Sequence, residues 1–334
     1  MGGNALMARY VAAIVGLGQV GLLFDQDSAR RGVWTHFTAY QRLPEMFALA
    51  AVCDPDPDRR ALAAQRMPSL VCYPDLETML DQVRPDVVSL CTPEAMHTAQ
   101  ILQCVGRTRA VLCEKPLGQQ DAEEALAACR RTGTWLAVNY YKRFDGCVPS
   151  VKEYLDEGRL GDVHTATALY SGPLGAVGSH ALDLLRFLLP PLRLAHVNRT
   201  SGNRLKVLYD FGQDGVAMLR GLGPRHDLVF EIDLVGPLGR VRILDNCSKA
   251  EWYSFLPSRR YGGYRELFLE PGYDHVRQER FLPMFVEMWE ALEGRRTSLT
   301  CDGVDAAQTQ MMIAELEQYP ELPVAQPGAT AESS

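Results

Sequence analysis

The stretch Val11-Ala-Ala-Ile-Val-Gly-Leu-Gly-Gln-Val-Gly21 decides the fold. An apolar run, Val11 to Val15, leads directly into Gly16-Leu17-Gly18-Gln19-Val20-Gly21, which fits G-x-G-x-x-G at every position. A buried strand that must turn at once into a helix needs a residue without a Cβ, here Gly16. Gly18 then lets the backbone approach a pyrophosphate, and Gly21 lets the helix lie close to the strand. The helix start offers unpaired N–H groups to phosphates. Three glycines also occur in purely structural turns, so the motif needs a second support. Phe47-Ala-Leu-Ala-Ala-Val-Cys-Asp54 supplies one, as an apolar strand ending in an acid that can accept hydrogen bonds from an adenosine ribose. The plain alternative is a solvated strand-end acid, since Pro55 and Pro57 follow. Taken together the two segments read as dinucleotide binding, with Gly16, Leu17, Gly18, Gln19, Val20, Gly21 and Asp54 as cofactor-binding candidates.

A chain of 334 residues allows two domains at roughly 150 residues each. Apolar residues at 47% and charged residues at 22% are ordinary for a globular protein. A net charge of −7 with no long basic run argues against nucleic acid as a partner. No apolar stretch approaches the ~20 residues of a membrane span. The first ten residues lack the features of a signal peptide, so a cytoplasmic location is expected. Met7 is a candidate alternative start, with a disordered lead-in before it. The nine cysteines form no C-x-x-C and none is spaced from histidine as in a zinc site. Free, mostly buried thiols are expected, with no disulfide and no metal.

After Gly21 one helical turn is expected, then an inserted loop at about 24–34, then a helix over Thr35–Leu43. Gly21 and Asp54 are 33 positions apart, whereas the fingerprint's acid usually follows at about 20. Asp25, Asp27, Arg30, Arg31, Trp34 and His36 are either substrate contacts at the site mouth or a solvated surface excursion. Helices and strands then alternate: a helix at 58–66, strand 71–73, helix 75–82, strand 87–91, helix 97–105, strand 110–113, helix 121–132 and strand 135–139. Such alternation implies a parallel sheet with right-handed crossovers. From 150 onward, after a short helix at 151–157, the chain reads mostly as strands, at about 163–171, 194–199, 204–211, 215–221, 228–235, 239–245 and 249–256. Their apolar–polar alternation suits an antiparallel sheet covered on one face. Helices at 276–293 and 303–318 close the chain. The expected fold is α/β: a doubly wound parallel sheet, then an α/β domain with a large, mostly antiparallel open sheet. The expected division is 9–135 for the nucleotide domain, 136–320 for a substrate-binding and oligomerisation domain, and 321–334 as a disordered tail.

Ligands of open parallel sheets bind beyond the carboxyl ends of the strands. Thr92-Pro93 and Glu114-Lys115-Pro116 both lie there. The second places an ammonium at the crevice, with Pro116 holding Lys115 extended and able to follow a cis bond; a surface Lys–Glu pair is the alternative. In the later half, Gly178-Ser-His-Ala-Leu-Asp183 reads as a helix start with His180 and Asp183 three residues apart on one face. A carboxylate beside an imidazole fixes its tautomer and raises its basicity, which suits removal of a hydroxyl proton. Two polar residues that merely solvate a helix end are the other reading.

Gly16–Gly21, Asp54, Thr92-Pro93 with His97, Glu114-Lys115-Pro116, the strand Leu136–Asn139 running into Lys142-Arg143-Phe144, and Gly178-x-His180-x-x-Asp183 stand in the order and spacing of the Gfo/Idh/MocA oxidoreductases. The resemblance covers about residues 9–320. It implies an NAD(P)-binding Rossmann domain, a second domain with a large sheet, and hydride transfer at a carbinol carbon of a sugar, sugar nucleotide or cyclitol. It further implies that Thr92, Pro93, His97, Glu114, Lys115 and Pro116 border the cofactor. Lys115, His180 and Asp183 would be catalytic. Lys115 would bond the reacting oxygen and His180 would be the acid/base; Tyr141 and Arg143 would lie near the substrate. Two departures stand out. Many members carry an acid four residues before the histidine, where this chain has Ala176; Asp183, Asp25 or Asp27 could replace it, or the chain could reduce a C=N or C=C bond instead. The loop at 24–34 is the other departure. A cofactor-binding regulator without turnover is a third reading. Asp54 would accept from a 2′-hydroxyl and repel a 2′-phosphate, which favours NAD over NADP. A homodimer or homotetramer formed through the open sheet face is expected.

Overall fold

β1 (Tyr10–Val15) lies inside a six-stranded sheet in which every neighbour runs parallel. The structure, a computed structural model, describes residues 9–30, 32–118, 120–200, 202, 204–223, 227–271 and 280–321. Along the chain follow α1 (His36–Arg42), β2 (Phe47–Cys53), α2 (Pro57–Arg66), β3 (Val71–Tyr73), α3 (Leu76–Val83), β4 (Val87–Leu90), α4 (His97–Cys104), β5 (Ala110–Cys113), α5 (Ala122–Thr132) and β6 (Trp135–Val138). The strand order is β3-β2-β1-β4-β5-β6. Side chains of β1 alternate between two apolar layers. Ala12 and Ile14 join Phe37 and Tyr40 of α1, while Ala13 and Val15 join Leu76 and Met79 of α3 and Ile101 of α4. A sheet covered on both faces explains why its strands are continuously apolar. The expected doubly wound parallel sheet is present.

The second half begins with α6 (Val148–Asp156) and β7 (Thr165–Tyr170), then α7 (Ser179–Leu188). β8 (Arg193–Thr200), β9 (Arg204–Phe211), β10 (Gly215–Leu222), β11 (Phe230–Gly236), β12 (Gly239–Leu244), β13 (Lys249–Pro257) and β14 (Arg265–Leu269) follow. They form an eight-stranded sheet, β14-β13-β12-β11-β7-β10-β9-β8, antiparallel except for β7 with β10. Burial alternates along β9, β10, β11 and β12. α7 packs on β7 and β10. The other face carries ion pairs such as Arg240–Asp233 and Arg242–Glu251. β14 was not expected from the sequence, because Arg265-Glu-Leu-Phe-Leu269 is an edge strand with little buried surface. α8 (Leu282–Leu292) and α9 (Gly303–Glu317) complete the described elements. The expected start of α8 at 276–279, Arg31, the lead-in before Arg9 and the tail after Glu321 lie outside the described residues.

Packing divides the chain differently from the expected boundary at 135/136. One compact unit takes residues up to Pro149 together with Arg277–Met311, and the other takes Ser150–Val276 and the chain from Met312. β6 is hydrogen-bonded to β5 and cannot be cut from its sheet. Phe285, Met288 and Trp289 of α8 share an apolar cluster with Tyr10, Ile14 and Tyr40, so this late helix belongs to the first unit. An apolar run in sequence shows that a helix is buried, not which core buries it.

The inserted loop is real and its accommodation is specific. After Gly18 the chain makes one turn, with Leu22 N–H donating to Gly18 O at 2.9 Å and Phe24 N–H to Gln19 O at 2.8 Å. A short 3₁₀ turn, Leu23–Gln26, follows. The carbonyls of Val20 and Gly21 are then taken by the N–H groups of His36 and Phe37, at 3.0 and 3.2 Å. In an unbroken helix those donors would be residues 24 and 25. The helix therefore resumes twelve residues late, and removing the excursion brings Asp54 back to the usual spacing. Asp25 secures the seam: its Oδ2 accepts from Thr35 Oγ1 (2.8 Å), Thr38 Oγ1 (2.6 Å) and Arg66 Nη2 (2.9 Å).

Replacing Asp25 with Ala removes the acceptor of three donors and is expected to cost about 1–3 kcal/mol of unfolding free energy in a denaturant titration. Asp25→Asn keeps one oxygen and should cost less. An unchanged midpoint in both variants would show that the seam is held by packing alone.

Candidate functional site

The glycine loop is shaped by three different demands. Gly16 has φ +88°, and a Cβ there would stand 2.7 Å from the carbonyl of Cys91. At Gly21 a Cβ would meet Gly16 O at 2.1 Å. Gly18 is the contrast: a Cβ there would meet nothing within 4 Å. Its missing side chain serves no contact inside the protein and leaves open space over the turn. That space belongs to a cavity of about 930 Å³, lined by Gly16, Gly18, Gln19, Val20, Asp54 and Thr92 with its neighbours. It lies beyond the carboxyl ends of β1, β2 and β4. Leu17 is different, its side chain fully buried in the core.

Asp54 is buried and already engaged. Its Oδ2 accepts from Leu17 N–H at 2.7 Å and its Oδ1 from Asp56 N–H at 2.9 Å. Arg59 Nη1 stands 3.6 Å from Oδ2. A carboxylate has about four acceptor positions, so the clasp leaves capacity for a hydroxyl. The structure thus gives Asp54 a second task, closing the glycine loop onto β2.

The loops after β4 and β5 are tied together by His97. Its Nδ1 lies 2.7 Å from Pro116 O and its Nε2 2.8 Å from Thr92 O, and the ring is buried. His97 therefore frames the crevice. Thr92 Oγ1 bonds Gln100 Oε1 at 2.5 Å, and Pro93 leads into a 3₁₀ turn, Glu94–Met96. The Lys115–Pro116 bond is cis. Lys115 is half-buried, and burial pushes its ammonium below the ordinary lysine value of 10.5, against the pull of Glu114 and Glu94. The Glu114 Oε1 atom lies 2.9 Å from His36 Nε2 and accepts from Asn139 Nδ2 at 2.6 Å.

Arg143, expected beside the substrate, is buried; it pairs with Asp305 and donates to Thr300 O at 2.7 Å, which anchors the start of α9. Of the two loop acids, Asp25 closes the loop seam and Asp27 pairs with Arg30 at 3.2 Å. Tyr141 stacks at 5.9 Å on Phe281.

In the second unit α7 is preceded by a π turn, Leu174–Gly178. Such turns insert one residue into a helical path. Gly178 sits where a Cβ would come within 2.6 Å of the Tyr170 ring. Ala176 is exposed, and His180 and Asp183 are both buried on the first turn and a half of α7. Leu182, Leu185 and Leu189 turn inward as the spacing suggested. Sequence reasoning missed His36 and Asn139 as partners of Glu114, and the π turn; only the Thr35 cap signalled where His36 would fall.

Residues 12–140 match the model of an oxidoreductase family with an NAD-binding Rossmann fold. D-glucoside 3-dehydrogenase of Escherichia coli is 27% identical over 224 residues, 61% of this chain and 60% of that protein. Inositol 2-dehydrogenase 1 of Saccharopolyspora erythraea is 31% identical over 159 residues, 42% of this chain and 46% of that protein. The chain thus matches between about half and three fifths of these relatives' length. Among solved structures, the WlbA dehydrogenase of Bordetella pertussis in complex with NADH and UDP-GlcNAcA superposes with a TM-score of 0.77 at 18% identity, covering 93% of this chain and 95% of that one. That likeness extends the fold through both halves of the chain.

The three glycines separate fold from binding. Gly18→Ala should leave the thermal midpoint close to that of the parent and weaken NADH binding about tenfold or more, since its methyl group enters the open space. Gly21→Ala should lower stability by 2 kcal/mol or more, at about the level of a forced backbone shift. NADH titration by fluorescence and thermal unfolding read the two effects. Equal NADH affinity in Gly18→Ala and parent would remove the turn from the binding site.

Proposed function

We propose that this chain, whose residues 12–140 match the model of the Gfo/Idh/MocA oxidoreductase family, transfers a hydride between NAD and a secondary alcohol or ketone of a sugar, sugar nucleotide or cyclitol. The single observation that carries the reading is the pairing of a glycine turn open at Gly18 with Lys115 held at the carboxyl end of β5, both in the first unit. Nicotinamide supplies the hydride acceptor or donor when bound. Gly16, Gly18, Gln19 and Val20 hold the pyrophosphate side, Asp54 accepts from the ribose, and Thr92, Pro93 and Pro116 border the ring, with His97 and Glu114 framing them. The lysine ammonium donates a hydrogen bond to the reacting oxygen, which stabilises negative charge as it develops. His180 takes the hydroxyl proton or returns it, and Asp183 orients the imidazole. Tyr141 lines the substrate side.

Ala176 supports a second reading, reduction of a C=N or C=C bond, in which the histidine matters less. The chain works in the cytoplasm, a reading supported by its nine free cysteines; no helix among the described residues is long and apolar enough to cross a membrane. It self-associates as a homodimer or homotetramer through the half-exposed face of the eight-stranded sheet, which light scattering checks.

Thermal shifts with NAD, NADH, NADP and NADPH come first, and the NAD pair should dominate; at 100 Kd binding adds about 2.7 kcal/mol. Turnover is then followed by nicotinamide absorbance across sugars, sugar nucleotides and cyclitols. Lys115→Met and His180→Ala should each lower kcat about a hundredfold or more. Because burial lowers the Lys115 value, the alkaline limb of kcat should fall below 10.5, as the ammonium loses its proton earlier than an ordinary lysine. Full activity of His180→Ala on an imine, with none on any carbinol, would replace the first reading by the second.

A further inference from the structure

His36 opens α1 at the far end of the inserted loop, with its ring wholly buried. Phe281 and Phe285 present ring contacts at 5.5 and 5.2 Å. A polar ring in an aromatic box is costly unless it is hydrogen-bonded, and a phenylalanine would fill the same volume without that cost. The imidazole has one described use. Its Nε2 lies 2.9 Å from Glu114 Oε1, the oxygen that also receives Asn139 Nδ2 at 2.6 Å. An acceptor at Nε2 selects the tautomer with its N–H there, so both groups donate to one carboxylate oxygen. Asn139 is itself fixed, its backbone N–H donating to Cys113 O at 2.8 Å. Glu114 is thus gripped from α1 and from the end of β6, immediately before Lys115.

The seam of the insertion delivers this grip. His36 N–H closes the bond to Val20 O, so the side chain is set by the glycine turn and not by the twelve-residue excursion. We propose that His36 is a positioning residue: with Asn139 it fixes the carboxylate of Glu114, the residue immediately before Lys115 in the chain, and so sets the surroundings of the Lys115 ammonium. Among the described residues, Glu114 and, from the turn after β4, Glu94 both favour the charged form of Lys115, against the effect of burial. On His36 the only described ionisable partner is Glu114; Phe281 and Phe285 add none. The catalytic consequence rests on the function proposed above, but the effect on Lys115 does not.

The chain has five lysines, so the full-length protein labelled with [ε-¹³C]lysine gives a resolvable set of signals, and Lys115→Arg assigns one of them. His36→Phe should keep the fold, as judged by the thermal midpoint, and lower the Lys115 titration midpoint by about half a pH unit or more. His36→Gln, which returns an N–H donor, should restore it. Glu114→Gln should lower the midpoint as well, and His36→Phe should add nothing in that background. A midpoint unmoved in His36→Phe, or moved equally by Phe and Gln, overturns the proposal and leaves His36 as packing. No substrate or turnover enters this titration, so failure of the dehydrogenase reading would be seen separately in the absorbance assay.

Discussion

The buried hydrogen bond from Leu17 N–H to the Asp54 carboxylate, 2.7 Å long, is the contact on which the nucleotide crevice depends. It joins the turn after β1 to the end of β2 and satisfies an amide that the tight turn leaves without a helical acceptor. A buried carboxylate is tolerable only with such donors, and Asp56 N–H supplies the second. Around this clasp the parallel sheet does the rest. All strands point the same way, so every loop that leaves a carboxyl end faces the same side. Gly16 can press against Cys91 only because it lacks a Cβ, and that approach sets the depth of the cavity floor.

The walls are held by side-chain hydrogen bonds rather than by further secondary structure. His97 bridges Thr92 O and Pro116 O, and Asp25 gathers Thr35, Thr38 and Arg66. This explains how twelve extra residues enter beside a cofactor turn without disturbing it. The excursion begins after Gly21 and ends before His36, and the two backbone bonds across the seam replace those of a continuous helix. The insertion is inserted in sequence but not in the hydrogen-bond ladder.

Legibility in the sequence followed the range of the signal. The strands of the first sheet and the helices at about 35–43, 58–66, 75–82 and 121–132 are local choices that the pattern showed, and the structure bounds them locally, with caps at Thr35, Asp56 and Asp75 and a left-handed end at Gly133. The glycine fingerprint and Glu114-Lys115-Pro116 were readable because each carries its geometry within a few residues. What escaped was long-range. Nothing in one dimension joins His36 to Glu114, 78 positions away, or Arg143 to Asp305. The membership of α8 in the first core and the edge strand β14 were hidden for the same reason, since their partners lie far off in sequence.

The π turn before α7 bears on the missing acid. An extra residue in the helical path shifts what precedes His180 by about one position relative to a regular helix. With either register the residues there are Gly175 and Ala176, neither of which can hold a proton. Gly178 admits the Tyr170 ring, so a larger residue cannot restore a regular turn without displacing that ring. Within one helical turn of His180 on either side, Asp183 is the sole carboxylate in the sequence. It is also fully buried, where a charge persists only with close partners. Under the proposed function, orientation of the imidazole from within its own helix would fall to Asp183, on its C-terminal side, the reverse of the arrangement in which an acid precedes the histidine.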